Sequence, residues 1–351
     1  MIALPPDPRV DAAIDASLDR IVTRARTLGA GFGALGDAVA RASRGGKRFR
    51  PALVAASFGA FGGDPDATPS LYPVAAAFEL LHAAFVVHDD VIDHDTERRG
   101  IPNVAGEFRE HARVQGADAA GAAVLGDAAA ILAGDLLLHE AFRLVAFAEV
   151  DPVAREQLHG LLDDAVYVSA AGELADVTHA VVPEHASHDD ILDAAFNKTA
   201  VYSFQAPLQA GAVLAGAGDE ARGVLSTAGG SLGLAFQLVD DLIGAFGSAE
   251  QAGRETGGDL RESKRTPLVA LARESTSWPK VNEALAVAHT GPIAVRDAQV
   301  ALLESGAPMR LRSLISDTLD RVRTASRDSA LPAAVGSLLR DLADGVEGRI
   351  P

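Results

Sequence analysis

Five aspartates at the ends of two apolar segments are the residues whose types and spacing most directly suggest chemistry. They are Asp89, Asp90, Asp93, Asp240 and Asp241. On a helix of 3.6 residues per turn, the first three fall within about 100° of one another. Carboxylates crowded in this way repel each other and partly protonate unless a cation compensates their charge. Oxygen ligands of this kind suit Mg²⁺, which typically bridges carboxylates to substrate phosphates.

Basic residues accompany the first acidic cluster and also form a cluster of their own. Arg98 and Arg99 closely follow the first three aspartates, and the second cluster is Gly45-Gly46-Lys47-Arg48-Phe49-Arg50. The planar guanidinium group matches pairs of phosphate oxygens, so both clusters favour anion recognition. The spacing of a nucleotide-binding phosphate loop, Gly-x-x-x-x-Gly-Lys-Ser/Thr, is absent. A salt-bridge network and a solvated basic loop remain possible explanations.

The composition excludes several classes of protein. The chain has 351 residues with 31 basic and 48 acidic side chains, a net charge of −17, and no cysteine. Without cysteine there are no disulfides, thiolate metal sites or cysteine nucleophiles. Such an acidic chain lacks the basic footprint of a nucleic-acid-binding protein. No signal peptide is recognisable and polar residues interrupt the long apolar stretches, so we expect a cytoplasmic protein without stable membrane insertion.

The elements that must position these residues are predicted to be helices. Apolar residues recur at spacings of three and four over 10–28, 311–324 and 333–346. Other segments are apolar nearly all round, as in the middle of a bundle: 74–87, 122–138 and 232–243. Clusters of Gly, Pro, Asp and Ser predict loops at 59–70, 99–116, 179–190 and 247–266. The simplest prediction is an all-α, single-domain helical bundle over residues 1–351.

Taken together, the motifs resemble those of the trans-isoprenyl diphosphate synthases of the polyprenyl synthetase family. Six motifs follow one another in the family's order over about residues 20–345. They are Gly46-Lys47-Arg48-Phe49-Arg50-Pro51; Glu79-Leu80-Leu81-His82; His88-Asp89-Asp90-Val91-Ile92-Asp93 with Arg98-Arg99-Gly100; Lys198-Thr199; Phe236-Gln237-Leu238-Val239-Asp240-Asp241; and Lys264-Arg265-Thr266. The resemblance implies helices around a deep central cavity, and a homodimer.

The resemblance also implies roles for individual residues. The diphosphate of isopentenyl diphosphate would be held by Lys47, Arg50, His82 and Arg99. Mg²⁺ would be bound by Asp89, Asp90, Asp93, Asp240 and Asp241. The allylic diphosphate would be held by the metals and by Arg98, Lys198, Thr199, Gln237 and Lys264. The residues expected to be catalytic are Asp89, Asp90, Asp93, Lys198 and Asp240.

The implied reaction is the head-to-tail condensation of isopentenyl diphosphate with an allylic diphosphate to give an all-trans prenyl diphosphate. Ala84 and Phe85, just before the first aspartate, would floor the product pocket, and this pair favours a C20 product, geranylgeranyl diphosphate. A C15 or longer product remains an alternative. Two competing hypotheses are a class I terpene cyclase, which would have no use for a second diphosphate subsite, and a non-catalytic subunit of a synthase.

One position departs from the family's pattern. The second acidic motif commonly has a third acidic residue four positions after its first aspartate, and this chain has Gly244 there. Glycine has no side chain that could bind a metal. The second motif therefore has two carboxylates, or a third comes from the following segment, where Glu250 and Asp259 are the next candidates.

Overall fold

The computed structural model describes Leu4 and residues 7–98, 100–182, 186–252 and 256–351, and these residues are helical almost throughout. The all-α prediction is therefore confirmed. The chain forms two compact units. We call Leu4–Leu162 with Ala210–Gly216 the N-terminal unit, and Asp163–Gln209 with Ala217–Pro351 the C-terminal unit. That both belong to a single domain remains a prediction.

The N-terminal unit is built from long helices and one very short hairpin. Its helices are α1 (Pro8–Arg26), α2 (Ala30–Ser43), α3 (Phe49–Ala60), α4 (Leu71–Ile92), α5 (Val104–Val114), α6 (Ala119–Ala146) and the beginning of α7 (Pro152–Val181). The hairpin pairs β1 (Glu97–Arg98) with the antiparallel strand β2 (Ile101–Pro102). Side chains of Asp7, Asn103 and Asp118 cap α1, α5 and α6 by accepting hydrogen bonds from backbone N–H groups of the first turn.

The loop predicted at 99–116 is wrong, because most of this segment is α5. The helix has 11 residues and buries only Val104, Ala105 and Ala112. With so few apolar positions, its periodicity was hidden among glycine and charged residues. The remaining signal was its N-cap, Asn103, whose side-chain oxygen accepts a hydrogen bond from the backbone N–H of Gly106 at 2.9 Å.

The C-terminal unit contains shorter helices around one long one. After the end of α7 come α8 (His188–Ala195), a π-helix (Phe196–Gln205), α9 (Ala206–Leu214), α10 (Asp219–Phe246), α11 (Ala249–Ala252), α12 (Gly258–Arg261), α13 (Pro267–Arg273), α14 (Trp278–Val287), a 3₁₀ turn (Ala288–Thr290), α15 (Pro292–Glu304), α16 (Ala307–Ala325) and α17 (Ala333–Glu347). Helices α7 and α9 each contribute residues to both units. The predicted loop at 247–266 contains α11 and α12, which are single turns.

Helices α4 and α6 are long and apolar enough to span a membrane by length and composition. The most apolar window of α4 is 67% buried within the protein, as expected of a core helix, so α4 is weak support for a membrane span. The corresponding window of α6 is only 39% buried. Exposed side chains on α6 include Val124, Leu125, Ile131 and Leu132, and we call these four residues the α6 apolar face.

Candidate functional site

The first acidic cluster lies where α4 ends. Asp89 and Asp90 belong to the last turn of the helix, and Asp93 is its C-cap residue. The side chain of Asp89 is 32% exposed, whereas that of Asp90 is 5% exposed and that of Asp93 is exposed. The three carboxylates therefore differ in exposure to solvent, because α4 leaves the buried core as it ends.

Arg98 of β1 is paired with the most buried of these carboxylates. Its Nε and Nη2 atoms donate to Asp90 Oδ1 at 3.0 and 2.6 Å, and Nη2 lies 3.9 Å from Asp89 Oδ2. Burial raises the pKa of the Asp90 carboxyl, and the hydrogen bond and positive charge of Arg98 counteract only part of this effect. Arg98 therefore forms the salt bridge that was one of its two possible roles, although 43% of its side chain remains exposed.

The segment between α4 and α5 is held by backbone and amide hydrogen bonds. The side-chain amide of Asn103 donates to Asp95 O at 2.9 Å, and the backbone N–H of Asn103 donates to Thr96 O at 3.0 Å. A Cβ atom at Gly106 would lie 2.1 Å from Thr96 O, so only glycine permits this approach. These contacts fix the hairpin that carries Arg98. Arg99, predicted to bind isopentenyl diphosphate, lies outside the described residues.

His88, next to the acidic cluster, is turned towards α6. Its Nε2 atom lies 3.2 Å from Ile131 O and 3.7 Å from Asp135 Oδ1. A Cβ atom at Gly134 would lie 2.1 Å from His88 Nε2, so this glycine makes room for the imidazole ring. These contacts give His88 a structural role in joining α4 to α6.

The basic cluster at the start of α3 is organised around Arg48. This residue adopts the left-handed conformation at φ 49°. Its guanidinium donates to Asp11 Oδ1 at 2.9 Å, to Ser43 O at 3.2 Å and to Glu79 Oε1 at 3.0 Å. Its side chain and that of Glu79 are 12% and 9% exposed, so Arg48 is an anchor within the protein and not a surface cation.

The two predicted substrate-binding cations flank this anchor. Lys47 is exposed immediately before Arg48, and Arg50 is half-buried in the first turn of α3. Because Arg48 fixes the backbone between them, the ion pair with Glu79 sets where both cations stand. The role of Glu79 was not predicted, although this residue is the first of one of the motifs. A glutamate within an apolar helix is the sequence signal that indicates such a buried ion pair.

One face of α4 joins the predicted histidine, the predicted pocket floor and the first aspartate. His82, Phe85 and Asp89 follow one another at spacings of three and four residues, and all three are half-buried. Ala84 lies about 140° away from Asp89 around the helix. It has no accessible surface. The face bearing Asp89 therefore includes Phe85 and not Ala84.

The second acidic cluster depends on close packing of α10 against the π-helix. A Cβ atom at Gly233 would lie 2.4 Å from the Cα atom of Ala200, and one at Gly229 would lie 2.9 Å from that of Gln205. The glycines therefore let the two backbones approach. Segments of π-helix are rare in proteins, and those that occur are often found at functional sites. This one carries Lys198 and Thr199, two of the residues predicted to bind the allylic substrate.

A chain of hydrogen bonds links the two helices to a buried carboxylate. Thr199 Oγ1 donates to Gln237 Oε1 at 2.9 Å, and Gln237 Nε2 donates to Asp241 Oδ1 at 3.0 Å. Asp241 Oδ2 is buried and has no hydrogen-bond partner among the described residues. Burial raises the pKa of Asp241 well above its ordinary value, and the charges of Asp259 and Asp240 add to this effect.

The two predicted lysines are paired with carboxylates of the same unit. Lys198 Nζ lies 2.9 Å from Glu173 Oε2 and 3.0 Å from Asp176 Oδ2, both on α7. Lys264 Nζ lies 3.2 Å from Glu262 Oε2. These side chains are 31% and 45% exposed, respectively, so they are not enclosed by their partners.

Asp240 is in contact with the C-terminal end of the chain. Arg349, just after α17, forms an ion pair with Asp240 Oδ1, and its guanidinium carbon lies 4.1 Å from the centre of the Phe236 ring. Arg312 of α16 donates to Pro351 O at 2.6 Å and so fixes the same terminal segment. The contact of Arg349 with Asp240 could not be predicted from the sequence, because no local pattern connects two residues so far apart in the chain.

The position that departs from the family's pattern is filled from another helix. A Cβ atom at Gly244 would lie 1.7 Å from Asp259 Oδ2, so the carboxylate of Asp259 occupies the space of the missing side chain. Asp259, on α12, is 7% exposed. It stands next to Asp241, whose pKa it raises. Of the two candidates for a third carboxylate, the structure places Asp259 at this position.

The chemistry of these acidic groups suits a hard divalent cation. Among the described residues, no three histidine, aspartate or glutamate side chains are grouped closely enough to hold a metal by themselves. However, the unpartnered oxygen of Asp241 and the neighbouring buried carboxylate of Asp259 are anionic oxygen donors held out of water. Mg²⁺ usually takes one or two carboxylates from a protein and completes its shell with water and phosphate oxygens, so these donors fit it.

Comparison with known proteins identifies the class of protein to which this helical fold, with its acidic and basic clusters, belongs. Residues 35–299 match the polyprenyl synthetase family. A geranylgeranyl diphosphate synthase of Methanosarcina mazei is 33% identical over 265 residues, which cover 76% of this chain and 72% of the relative. A geranylfarnesyl diphosphate synthase of Aeropyrum pernix is 30% identical over 316 residues, or 87% of this chain and 91% of the relative.

A solved structure agrees. The crystal structure of a geranylgeranyl pyrophosphate synthase from Corynebacterium glutamicum, complexed with isoprenyl diphosphate and magnesium, superposes with a TM-score of 0.87 at 27% identity over 97% of both chains. The chain therefore belongs to the polyprenyl synthetase family. It is a trans-prenyltransferase. Members of the family are soluble enzymes and generally depend on a divalent metal.

The two carboxylates that hold Arg48 give a matched test of the anchor. Glu79→Gln removes the buried charge and leaves Arg48 undercompensated, which we expect to lower the free energy of unfolding by about 3 kcal/mol. Asp11→Asn removes the partner whose side chain is 50% exposed, and we expect a loss below about 1 kcal/mol. Urea unfolding of both variants measures the difference. Equal losses would contradict the view that Glu79 is the main anchor.

Substitutions at two glycines of α10 test whether the space left by Gly244 is needed for the Asp259 carboxylate. Alanine stabilises an open helical position by roughly 0.5–1 kcal/mol over glycine. A Cβ atom at Gly223 would have no neighbouring atom within 4 Å, so Gly223→Ala should show that gain. Gly244→Ala should instead lose about 1–3 kcal/mol because its methyl group displaces Asp259. Gly244→Asp, which restores the family's usual acid, should lose more. The free energy of unfolding is measured in urea. A gain in stability from Gly244→Ala would contradict the placement of the Asp259 carboxylate at this position.

Proposed function

We propose that this trans-prenyltransferase condenses isopentenyl diphosphate head to tail with an allylic diphosphate and releases an all-trans prenyl diphosphate. The observation that carries the proposal is the buried carboxylate of Asp241, which has an oxygen without a hydrogen-bond partner in the described part of the chain. Two further carboxylates, Asp240 and Asp259, add their charges to it. Such a concentration of carboxylates around one that is buried favours a reaction that uses divalent metal and a polyanionic substrate.

The metal ligands would come from both acidic clusters. We assign Mg²⁺ binding to Asp89, Asp90 and Asp93 of the first cluster and to Asp240 and Asp241 of the second, with Asp259 as an added carboxylate of the second cluster. When bound, Mg²⁺ neutralises the diphosphate and the charge that develops on it as it leaves. The magnesium in the Corynebacterium structure supports this assignment.

The allylic diphosphate would be held by Arg98, Lys198, Thr199, Gln237 and Lys264. The cations among them are paired with carboxylates and remain partly exposed, so they are positioned and also reachable. Thr199 and Gln237 belong to the hydrogen-bond chain that ends at Asp241, which orients their polar groups. Preorganised donors of this kind stabilise charge that appears on the leaving diphosphate without having to reorient.

The diphosphate of isopentenyl diphosphate would be held by Lys47, Arg50, His82 and Arg99. Lys47 and Arg50 stand on either side of the Arg48 anchor at the start of α3, and helix N-termini favour anions. His82 lies on the face of α4 that also carries Asp89. A condensation binds two diphosphates at once and therefore needs a second cationic subsite. A cyclase binds a single diphosphate and does not need one.

The reaction begins with cleavage of the allylic C–O bond, in which the electron pair leaves with the diphosphate. The double bond of isopentenyl diphosphate attacks the resulting allylic cation and forms the new C–C bond. Loss of a proton then restores a double bond, and the released diphosphate accepts that proton. The residues assigned as catalytic, Asp89, Asp90, Asp93, Lys198 and Asp240, support the first step. Apolar residues such as Phe85 exclude water, which would otherwise trap the cation.

We propose a C20 product, geranylgeranyl diphosphate. Phe85 lies one turn of α4 before Asp89 on the same face, about 6 Å along the helix axis, so its ring is suited to limit how far a product extends. Ala84, the second residue predicted to affect length, is fully buried, and any effect would have to pass through the packing of α4. The named products of the relatives from Methanosarcina and Aeropyrum support a C20 or longer chain.

We further propose a cytoplasmic homodimer that binds small isoprenyl diphosphates and neither nucleic acid nor membrane stably. The α6 apolar face supports the dimer: its residues recur along one side of the helix and are 38–69% exposed. Large apolar side chains exposed side by side on one helix are typical of an interaction surface. Sedimentation equilibrium of the purified chain measures its oligomeric state.

An activity assay with two aspartate variants and one control tests the proposed function. The purified chain, isopentenyl diphosphate, Mg²⁺ and a C5, C10 or C15 allylic diphosphate should give a prenyl diphosphate, detected by mass spectrometry. We expect Asp89→Ala and Asp240→Ala to lower kcat at least about 100-fold, the size of losing one charge-stabilising group. Glu250→Ala, an exposed acid beyond the same helix, should have little effect. No product from any primer would instead indicate a non-catalytic subunit.

The length of the product tests the assignment of Phe85. Phe85→Ala removes the ring from the face of α4 that carries Asp89, and we expect the product distribution to shift to chains longer than that of the unaltered enzyme. Ala84→Gly, which changes the opposite side of the helix, should leave the distribution unchanged. Chromatography and mass spectrometry of the dephosphorylated products provide the readout. Longer products from Ala84→Gly alone would place the pocket on the other face.

A further inference from the structure

The N-terminal unit contains a pocket on the side of α1 that faces α6 and α7. Its volume is about 450 Å³. Small-molecule sites typically occupy about 300–1,000 Å³. The lining is mainly basic and aromatic: Arg20, Arg24, His139, Arg143, Phe142 and His159 are among its residues. None of them belongs to the motifs assigned to the prenyltransferase reaction.

Two of the three arginines are fixed by one buried carboxylate. Glu140 has no accessible surface. Arg20 Nε donates to Glu140 Oε1 at 3.1 Å, and Arg143 Nη1 donates to the same oxygen at 3.2 Å. The shared partner orients both guanidiniums and compensates only one of their charges. Their side chains remain 28% and 34% exposed, so each retains a surface towards solvent.

The third arginine adds an uncompensated charge. Arg24, one turn after Arg20 on α1, forms no ion pair with any carboxylate in the described part of the chain. Burial, and then the neighbouring charges of Arg143 and Arg24, lower the pKa of Arg20, as expected where guanidiniums repel one another. This local excess of positive charge stands out in a chain whose net charge is −17.

Aromatic rings adjoin the cations. The rings of Phe142 and His159 lie 5.2 Å apart, and the guanidinium carbon of Arg143 lies 5.3 Å from the centre of the Phe147 ring. Phe147 is 75% exposed. The pocket therefore offers charged donors together with apolar surface, which suits a ligand that has an anionic head and a hydrocarbon part.

We propose that this pocket binds a ligand bearing a diphosphate group. The three guanidiniums of the lining and the one carboxylate that pairs with two of them leave a net charge of about two, which matches a multivalent anion better than a single carboxylate. Two sources share this chemistry: inorganic diphosphate and a prenyl diphosphate, whose chain would lie against Phe142 and Phe147. The inference goes beyond the proposed function and does not depend on it, because no residue of the pocket takes part in the proposed reaction.

Charge reversal at two arginines of α1 tests the proposal. Binding of inorganic diphosphate and of farnesyl thiolodiphosphate is measured by calorimetry in excess EDTA, so that metal-dependent binding does not contribute. We expect Arg24→Glu to weaken binding of both ligands about tenfold or more, the effect of losing a charge-assisted hydrogen bond. Arg26→Glu carries the same change on the same helix outside the pocket, where Arg26 is 64% exposed, and should bind as the unaltered protein does.

A mapping experiment and a second variant keep the test decisive. Inorganic diphosphate should protect Arg24 and Arg143 from modification by phenylglyoxal, as read by peptide mass spectrometry, and His139→Ala should weaken binding even if Arg24→Glu fails to fold. Tighter binding of the thiolodiphosphate would identify a prenyl ligand, and equal binding the inorganic anion. Binding in EDTA should survive in Asp240→Ala, whether or not the chain is catalytically active. Equal affinity of the Arg24→Glu and Arg26→Glu variants, or binding lost in Asp240→Ala, would overturn the proposal.

Discussion

A carboxylate held out of water on an apolar helix, Asp90 on α4 and Asp241 on α10, is the constraint on which both acidic clusters depend. Helix α4 is buried over most of its length and ends in Asp89 and Asp90, and α10 is buried over its second half and includes Asp240 and Asp241. Placing a carboxylate in such a position costs free energy unless a partner compensates it. Each cluster consequently has an arginine on one of its aspartates, and this pairing organises the segments around it.

The two clusters meet this constraint in different ways. In the N-terminal unit, Arg98 is brought to Asp90 by the short pair of strands β1 and β2, so local chain geometry provides the cation. In the C-terminal unit, Arg349 arrives at Asp240 from the far end of the chain, while one oxygen of Asp241 accepts from the amide of Gln237 and the other has no partner among the described residues. Asp241 thus has a buried oxygen that no group in the described part of the chain compensates, which suits it to an external cation.

The sequence was sufficient to predict the helical class, because apolar periodicity is a local pattern, and to predict that the aspartates within each cluster lie together, because they are neighbours in the chain. The expectation that both clusters end a helix holds for α4 only, because α10 continues to Phe246. The α5 segment was missed because three buried residues are too few for a clear period. The anchoring of Arg48 by Glu79 and the contact of Arg349 with Asp240 were also missed, because each joins residues distant in the chain. Ala84 and Phe85 are adjacent in sequence, and only the helix shows that they lie on different sides.

Gly244 shows why a departure from a family pattern has to be judged in three dimensions. In the sequence it removes an acidic side chain, which weakens the case for a complete metal site. In the structure the same absence creates the space that the Asp259 carboxylate occupies, next to Asp241. The number of carboxylates in the cluster is therefore maintained while their origin changes from one helix to two. Because α12 supplies one of these carboxylates, the negative charge of the cluster depends on where the segment after α10 places Asp259.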